Sequence, residues 1–338
     1  MTRRPSPRAH PPPASRVGLV LGAGGVLGAA WMAGMLVALQ ERLPRRLGDL
    51  DLIVGTSAGS ILAAALRCGV GVGEIAAHQA GATMVALPTL GELDRDAGPL
   101  PPLPRMRLGS PRLLASTARA PHRVHPWVAA SALILQGRAR HRSLTALVDG
   151  LLAQERGDAE PTAAAWPRRG ETWIMAVDYE SGRRVAFGRS GAPAASLPDA
   201  VVASCSIPGW YEPKAIDGCR YVDGGVRSST SLDLLAKVPL DEVYVLAPMA
   251  SYAMDSPFHP YARLERVFRR VLTVALTREA RKVRTAGVRV TVLTPGPEDL
   301  AAIGVNMMDP ARRQQVLDTA LRTAPATLAA VTARHKAA

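Results

Sequence analysis

A serine flanked at two positions by glycine is the first feature of this chain that could do chemistry. Gly55 and Gly59 stand two positions to either side of Ser57. This spacing is typical of a nucleophile elbow, a sharp strand-to-helix turn in which only small neighbours fit beside an exposed hydroxyl. An apolar run at 52–54 precedes the motif and a helical pattern begins at residue 61. The pattern predicts Ser57 as a nucleophile, with a glycine-rich turn capped by serine as the alternative.

A glycine-rich loop earlier in the chain could supply the N–H donors that stabilise negative charge during acyl transfer. Consecutive glycines let backbone amides turn toward a ligand, and a following helix adds its positive end. A dinucleotide-binding loop is the competing interpretation, but its third glycine would fall where Leu27 stands. We therefore predict an oxyanion hole, formed by the loop Gly22, Ala23, Gly24, Gly25, Val26, Leu27 and Gly28.

An aspartate provides a candidate base for the serine. None of the seven histidines ends a predicted strand, so a Ser-His-Asp triad is hard to assemble. Asp223 follows a short strand at 220–222 and precedes Gly224 and Gly225, which let the backbone turn sharply. A carboxylate can serve as a base when it is close to the hydroxyl and partly desolvated. The alternative is an Asp-Gly hairpin turn with a solvated carboxylate.

The elements that must position these residues alternate between strand and helix. Apolar periodicity predicts a long helix over 261–285 and a final helix that begins at Asp309 and Pro310. This rhythm predicts an α/β fold with a largely parallel, fully covered sheet. The predicted strands are 17–21, 52–54, 172–177, 220–222, 242–246 and 288–293.

Two segments fall outside this rhythm. Residues 1–16 are rich in proline and arginine and are predicted to form a flexible basic tail before a single domain over 17–338. Repeated prolines break any long element between about 88 and 143, which predicts an insertion there. Such an insertion is either a lid over a site or a solvated loop.

Most of the net charge of +13 lies in two blocks. Residues 1–16 carry four arginines and no acid, and residues 95–142 carry nine arginines and one acid. No recognition motif accompanies these blocks, so nucleic acid is not an expected partner. Arginines interleaved with apolar side chains predict peripheral contact with an anionic membrane. The apolar residues concerned are Leu103, Met106, Leu108, Leu113, Leu114 and Trp127.

The uncharged run 17–40 resembles a membrane span or a signal peptide, but its clustered glycines favour a turn between a strand and a helix. The three cysteines are odd in number and lack metal-ligand spacing. Unpaired reduced thiols are typical of cytoplasmic proteins, and we therefore expect a cytoplasmic protein that contacts membranes peripherally.

Taken together in this order, the glycine loop, the elbow and the Asp-Gly-Gly motif resemble the patatin-like phospholipase family. Residues 203–213 resemble the stretch that these enzymes carry before the aspartate, and residues 172–187 resemble the strand pair before that. The similarity covers about 17–87 and 172–246. The resemblance implies a three-layer α/β/α fold and hydrolysis of lipid acyl esters without a metal or a diffusible cofactor.

Carried over by motif, Ser57 would attack the carbonyl carbon of an acyl ester and Asp223 would accept its proton. The amides of Gly24 and Gly25 would bind the oxyanion, and Asp223 would then activate the water that releases the fatty acid. The chain departs from the family at Leu27, where the family usually carries arginine or lysine. This departure leaves a second hypothesis open, a patatin-fold protein that binds lipid or regulates but has weak or no catalysis.

Overall fold

The computed structural model describes residues 15–84, 88–98, 100–157 and 166–337. The predicted basic tail lies outside the described residues except for its last two positions. The strands are β1 (Val17–Leu21), β2 (Leu52–Thr56), β3 (Glu171–Asp178), β4 (Arg184–Phe187), β5 (Lys214–Ile216), β6 (Cys219–Asp223), β7 (Glu242–Leu246) and β8 (Arg289–Leu293). The helices are α1 (Gly25–Arg42), α2 (Ala58–Arg67), α3 (Val72–Gln79), α4 (Leu90–Ala97), α5 (Pro111–Arg119), α6 (Pro126–Ser131), α7 (Arg142–Arg156), α8 (Leu197–Cys205), α9 (Pro260–Thr285), α10 (Pro297–Ile303) and α11 (Arg313–Ala337).

The strands of the described residues form one mixed sheet. Hydrogen bonds link the strands along the path β5-β6-β3-β2-β1-β7-β8, in which β6 and β2 pair with successive parts of one edge of β3 and β4 pairs with its other edge. The strands β1, β2, β3, β7 and β8 are parallel to their neighbours in this series, while β4, β5 and β6 pair antiparallel. The prediction of a largely parallel sheet is therefore confirmed.

Helices cover both faces of the sheet and make a three-layer α/β/α structure. Successive side chains of a strand point to opposite faces. Leu19 and Leu21 of β1 accordingly pack into a core with α1, α2, α8 and α11, whereas Val20 packs into a second core with α9. Because both faces are buried, the parallel strands consist of continuous apolar runs such as that of β1.

Residues 17–40 form a strand, a loop and a helix rather than a membrane span. The helix α1 begins at Gly25, within the glycine cluster. The residues in its middle are buried, and the helix packs against α11. Among the described residues, no helix is long and apolar enough to cross a membrane.

The proline-rich segment 88–143 contains short helices. Pro111 and Pro126 stand in the first turns of α5 and α6, where the missing N–H of proline leaves no helical hydrogen bond broken. Leu113 of α5 and Val128 of α6 pack against Val177 of β3 in a small third core. This part of the segment is therefore anchored to the same face of the sheet as α9.

Candidate active site

Ser57 stands at the tip of the turn between β2 and α2. Its φ is +52°, in the left-handed region that costs a non-glycine residue roughly 1–3 kcal/mol. A Cβ at Gly55 would lie 2.6 Å from the carbonyl oxygen of Gly59, and a Cβ at Gly59 would lie 2.0 Å from that of Leu21. Glycine is therefore required by sterics at both positions of the elbow.

Hydrogen bonds hold the strained turn. The N–H of Ser57 donates to Ser204 Oγ at 2.9 Å, and the Ser204 hydroxyl donates to the Met175 carbonyl oxygen at 2.6 Å. The carbonyl oxygen of Ser57 accepts from both the N–H and the hydroxyl of Ser60, at 2.7 and 2.6 Å. The serine is thus tied to α8 and to β3, so its backbone cannot relax without breaking buried hydrogen bonds.

The strand β3 explains how residues far apart in sequence meet. The end of β2 pairs with β3 at Thr56 and Met175, and the end of β6 pairs with β3 at Asp223 and Ala176. Because β4 occupies the other edge of the same part of β3, β2 and β6 share one edge and meet end to end there. Ser57 and Asp223, which stand at or directly after these two ends, are thereby brought together.

The Asp223 carboxylate is buried, with 5% of the residue exposed. Burial raises its pKa from 3.8 to about 6, against the lowering effects of a side-chain hydrogen bond with Ser57 and of the Gly225 N–H. The Gly225 N–H donates to Oδ1 at 2.7 Å and fixes the carboxylate. A carboxylate whose pKa lies near 6 is ionised at neutral pH and is more basic than an exposed aspartate.

The glycine loop presents free amides beside the serine. The N–H groups of Gly22 and Ala23 donate to carbonyl oxygens of neighbouring segments, at 2.9 and 2.8 Å. Those of Gly24, Gly25 and Val26 have no acceptor among the described residues, as expected at a helix N-terminus. Gly25, with φ of +57°, and Val26 line the same cavity as Ser57, whereas Gly24 is not among the lining residues. Together these amides and the helix dipole favour an anion.

Leu27 faces away from the cavity. Its side chain is fully buried in the core, and its N–H donates to the Met307 carbonyl oxygen at 2.9 Å. The nine arginines of residues 95–142 contribute nothing to the cavity lining; the one arginine among the described lining residues is Arg313. Arg313 makes a two-point ion pair with Asp94 of α4, with Nη1 at 2.9 Å from Oδ2.

An apolar cavity of about 160 Å³ extends from Ser57 into the helical layer. Its walls come from α1, α2, α3 and α7, and α4 covers it from outside. Most of the lining residues are apolar, which suits an extended hydrocarbon chain, and the polar side chains among them include His78, Asp94, Asp96, His141 and Arg313. The aliphatic lining residues of α2 are Ala58, Ile61, Leu62 and Ala65, and those of α7 are Leu144, Leu147 and Leu151.

Two lining residues were not anticipated from the sequence. His141 and Tyr211 stack with ring centroids 3.7 Å apart, and His141 Nε2 lies 3.0 Å from the carbonyl oxygen of Cys205. A carbonyl oxygen only accepts, so Nε2 carries the proton. Burial lowers the pKa of His141 to about 4, so the ring is neutral at physiological pH. Its position just before α7, in the segment taken for an insertion, gave no sequence signal of a site.

The described residues include no group of three His, Cys, Asp or Glu side chains that could hold a metal. The cysteines Cys68, Cys205 and Cys219 are all unpaired.

Comparisons with known proteins place these motifs in a family. The family model described as patatin-like phospholipase matches residues 19–87 and 110–236, which include Ser57 and Asp223. No curated protein matches the chain.

Solved structures that align with this chain include VipD from Legionella pneumophila, with 13% identity and a TM-score of 0.45 over 94% of this chain and 67% of that one. Human GIVD cytosolic phospholipase A2 has 12% identity and a TM-score of 0.42 over 96% of this chain and 59% of that one. ExoU, in its complex with SpcU from Pseudomonas aeruginosa, has 18% identity and a TM-score of 0.32 over 96% of this chain and 60% of that one. The chain thus spans about three-fifths to two-thirds of the length of these structures. On the family match, which covers more than half of its residues, this chain belongs to the patatin-like phospholipase family.

Proposed function

We propose that the chain hydrolyses lipid acyl esters with Ser57 as nucleophile and Asp223 as general base. Membership of the family supports lipid acyl hydrolysis as the class of reaction. The observation that carries the assignment of residues is the meeting of β2 and β6 on one edge of β3, which sets a strained serine beside a buried carboxylate. Ser57 lines a largely apolar cavity, and the Asp223 carboxylate makes a hydrogen bond with the Ser57 side chain.

In the proposed reaction, Asp223 accepts the hydroxyl proton as Ser57 Oγ attacks the ester carbonyl carbon. The amides of Gly24 and Gly25 hold the oxyanion of the tetrahedral intermediate. Collapse of this intermediate breaks the ester bond, and the alcohol leaves with the proton from Asp223. Water then attacks the acyl-serine, Asp223 takes its proton, and the fatty acid is released as Ser57 is re-formed.

The aliphatic cavity is proposed to hold the acyl chain of the substrate, and α4 is proposed to act as its lid. Leu90 and Leu93 of α4 face the cavity. The ion pair of Asp94 with Arg313 and the hydrogen bond from the Ser143 N–H to Asp96 Oδ2, at 2.5 Å, hold α4 in place. The segment 88–98 is thus the part of the predicted insertion that is suited to control access.

A panel of lipid classes and a short p-nitrophenyl ester test the proposal. We expect wild type to release fatty acid or p-nitrophenol and Ser57→Ala to release neither, with circular dichroism unchanged. Ser181→Ala, in the turn between β3 and β4, is the control and keeps wild-type turnover. Wild-type turnover by Ser57→Ala would refute the assignment. A folded wild type that binds lipid but hydrolyses none of these esters would favour the binding protein that Leu27 left open.

A further inference from the structure

Exposed apolar side chains are concentrated in two parts of the molecule. Among the described residues, all the exposed large apolar side chains except Val305 and Leu321 fall within 100–134 and 252–274. Surfaces of monomeric soluble proteins rarely carry large contiguous apolar patches without a binding role. Of the apolar residues that the sequence suggested for membrane contact, Leu113 is buried and Leu114 is partly buried. The other four are exposed: Leu103, Met106, Leu108 and Trp127.

The helix α9 has two apolar sides. On one side, Leu276, Ala280 and Val283 pack into the core beneath the sheet. On the outer side, its first half carries an apolar stripe at the three- and four-residue spacing of one helix face. This stripe consists of Tyr261 (73% exposed), Leu264 (68%), Phe268 (44%) and Val271 (44%).

The stripe continues onto the neighbouring segment. The ring of Trp127, in α6, packs edge-on against Phe268 with centroids 6.3 Å apart, and the tryptophan is still 53% exposed. The two segments that carry the exposed apolar residues are therefore joined at this contact into one surface. Tryptophan and tyrosine, with an apolar body and a polar tip, are typical of side chains at a membrane–water interface.

All exposed charges on α9 are positive. Its two acidic residues are only partly exposed: Glu265 pairs with Arg266 and Arg269, and Glu279 accepts hydrogen bonds from hydroxyls beneath the helix. The stripe thus has basic neighbours and no exposed acid on its own helix. The exposed basic residues are Arg263, Arg270, Arg278, Arg281, Lys282 and Arg284.

The topology places this surface at the same edge of the sheet as Ser57. The strands β1, β2 and β7 are parallel, so their carboxyl ends meet at one edge, which holds the glycine loop and the elbow. The chain leaves β7 at that edge, and α9 then runs back toward the start of β8. The apolar first half of α9 therefore lies toward the same end of the sheet as the elbow.

We propose that Trp127, Tyr261, Leu264, Phe268 and Val271 form a docking face that inserts into the surface of an anionic lipid bilayer, with the arginines of α9 bound to lipid head groups. A helix of this character lies in the interface with its apolar side among the upper acyl chains. The docking face rests on the proposed function and adds the surface at which the membrane contacts the protein. Binding requires no turnover, so the two proposals fail separately.

Sedimentation of the full chain with vesicles of equimolar phosphatidylcholine and phosphatidylglycerol tests the docking face. We expect Tyr261→Ser/Leu264→Ser to weaken binding at least about tenfold, because each side chain loses its burial in lipid. Arg270→Gln and Arg278→Gln are each expected to weaken binding about fivefold. Leu321→Ser, an exposed leucine of α11 on the other face of the sheet, is the matched control and binds as wild type does.

Three results would overturn the proposal. The first is that Tyr261→Ser/Leu264→Ser binds the vesicles as tightly as wild type, and the second is that Leu321→Ser loses as much affinity as that double variant. The third is that wild type binds vesicles of phosphatidylcholine alone as tightly as the mixed vesicles. A dimer in sedimentation velocity that Tyr261→Ser/Leu264→Ser dissociates would also overturn it, because the face would then be a subunit interface. Turnover of a soluble short-chain ester should be unchanged in all these variants. Absence of that turnover in wild type would count against the Ser57 chemistry and not against the docking face.

Discussion

Asp223 is a buried carboxylate and Glu279 a partly buried one, and burial raises the pKa of each above its ordinary value. Glu279, on the inner side of α9, accepts from three fixed donors: the hydroxyls of Ser228 and Thr230 at 2.6 and 2.8 Å, and the N–H of Leu232 at 3.0 Å. These hydrogen bonds fix the loop that follows β6, to which all three donors belong. The carboxylate is therefore a structural acceptor in which every oxygen is occupied.

The Asp223 carboxylate is held much more sparsely. One backbone donor, the Gly225 N–H, fixes it, and its other polar neighbour is the Ser57 side chain. The carboxylate can still accept a proton, and its neighbour Ser57 lines the cavity. Burial alone does not make a base, and we infer that Asp223 is suited to the role because its carboxylate is incompletely satisfied beside the Ser57 hydroxyl.

Replacing Asp223 by Asn should have the largest effect on activity. Asparagine keeps the size and the acceptor for Gly225 but cannot take the proton of Ser57, so we expect turnover of a short p-nitrophenyl ester to fall roughly 10³-fold. Stability should change in the opposite direction. Because the folded pKa of about 6 exceeds the ordinary 3.8, ionisation of Asp223 destabilises wild type above pH 6, by at most about 3 kcal/mol.

Urea denaturation of wild type and Asp223→Asn measures the second effect. Wild type should lose stability as pH rises from about 4 to about 6, since the folded state then holds a proton that the unfolded chain releases. This contribution to the pH dependence should vanish in the variant, which should be the more stable protein above pH 6. Retained ester turnover in a folded Asp223→Asn variant would contradict the assignment of the base.

The pH dependence of turnover should follow Asp223 and not Glu279. We expect kcat/KM to rise about tenfold for each pH unit below about 6 and to level off above it, because only the ionised carboxylate accepts a proton. The substrate should be a neutral ester, so that the enzyme alone carries groups that titrate in this pH range. A profile that is flat through pH 6 would mean that some other group activates the serine.

Ser204→Ala tests the support of the elbow. The change removes the acceptor for the Ser57 N–H and the donor to the Met175 carbonyl oxygen, both of them buried. We expect a loss of roughly 1–3 kcal/mol in the free energy of unfolding and a fall of about tenfold in kcat, with KM little changed. Equal effects on kcat and KM would indicate a change in the cavity rather than in the position of the serine.

Glu279→Ala should have the smallest effect on activity. It leaves three donors in a partly buried site without their acceptor, so we expect a loss of roughly 2–4 kcal/mol in the free energy of unfolding. Turnover per folded molecule and its pH profile should stay close to wild type. A fall in turnover comparable to that of Asp223→Asn would erase the distinction between the two carboxylates.

The central strands could be predicted well because each is buried on both faces. The bounds of β1 and β7 are those expected from the apolar runs, and the long helix α9 begins within one residue of its predicted start. The apolar runs did not predict the short strands β4 and β5, although the family resemblance of 172–187 implied a strand pair that includes β4. These strands have only four and three residues, too few to show a period.

The segment 88–143 could not be predicted in the same way. Its prolines were taken as breakers, yet Pro111 and Pro126 begin helices, and only the surrounding packing distinguishes the two roles. His141 and Tyr211 reach the cavity from positions 70 residues apart through the packing of α7 and α8, a contact that no local pattern encodes. The predicted pairing of Ser57 with Asp223 likewise depends on β3, which contacts both strand ends.

Covalent labelling of Ser57 by a fluorophosphonate tests activation of the serine most directly. The site of labelling is located by peptide mass spectrometry, and its rate is compared between wild type and Asp223→Asn at several pH values. We expect wild type to label at Ser57 at a rate that rises to a plateau above about pH 6, and the variant to label at least about 10²-fold more slowly. Labelling at another residue, or equal rates in the two proteins, would contradict the account.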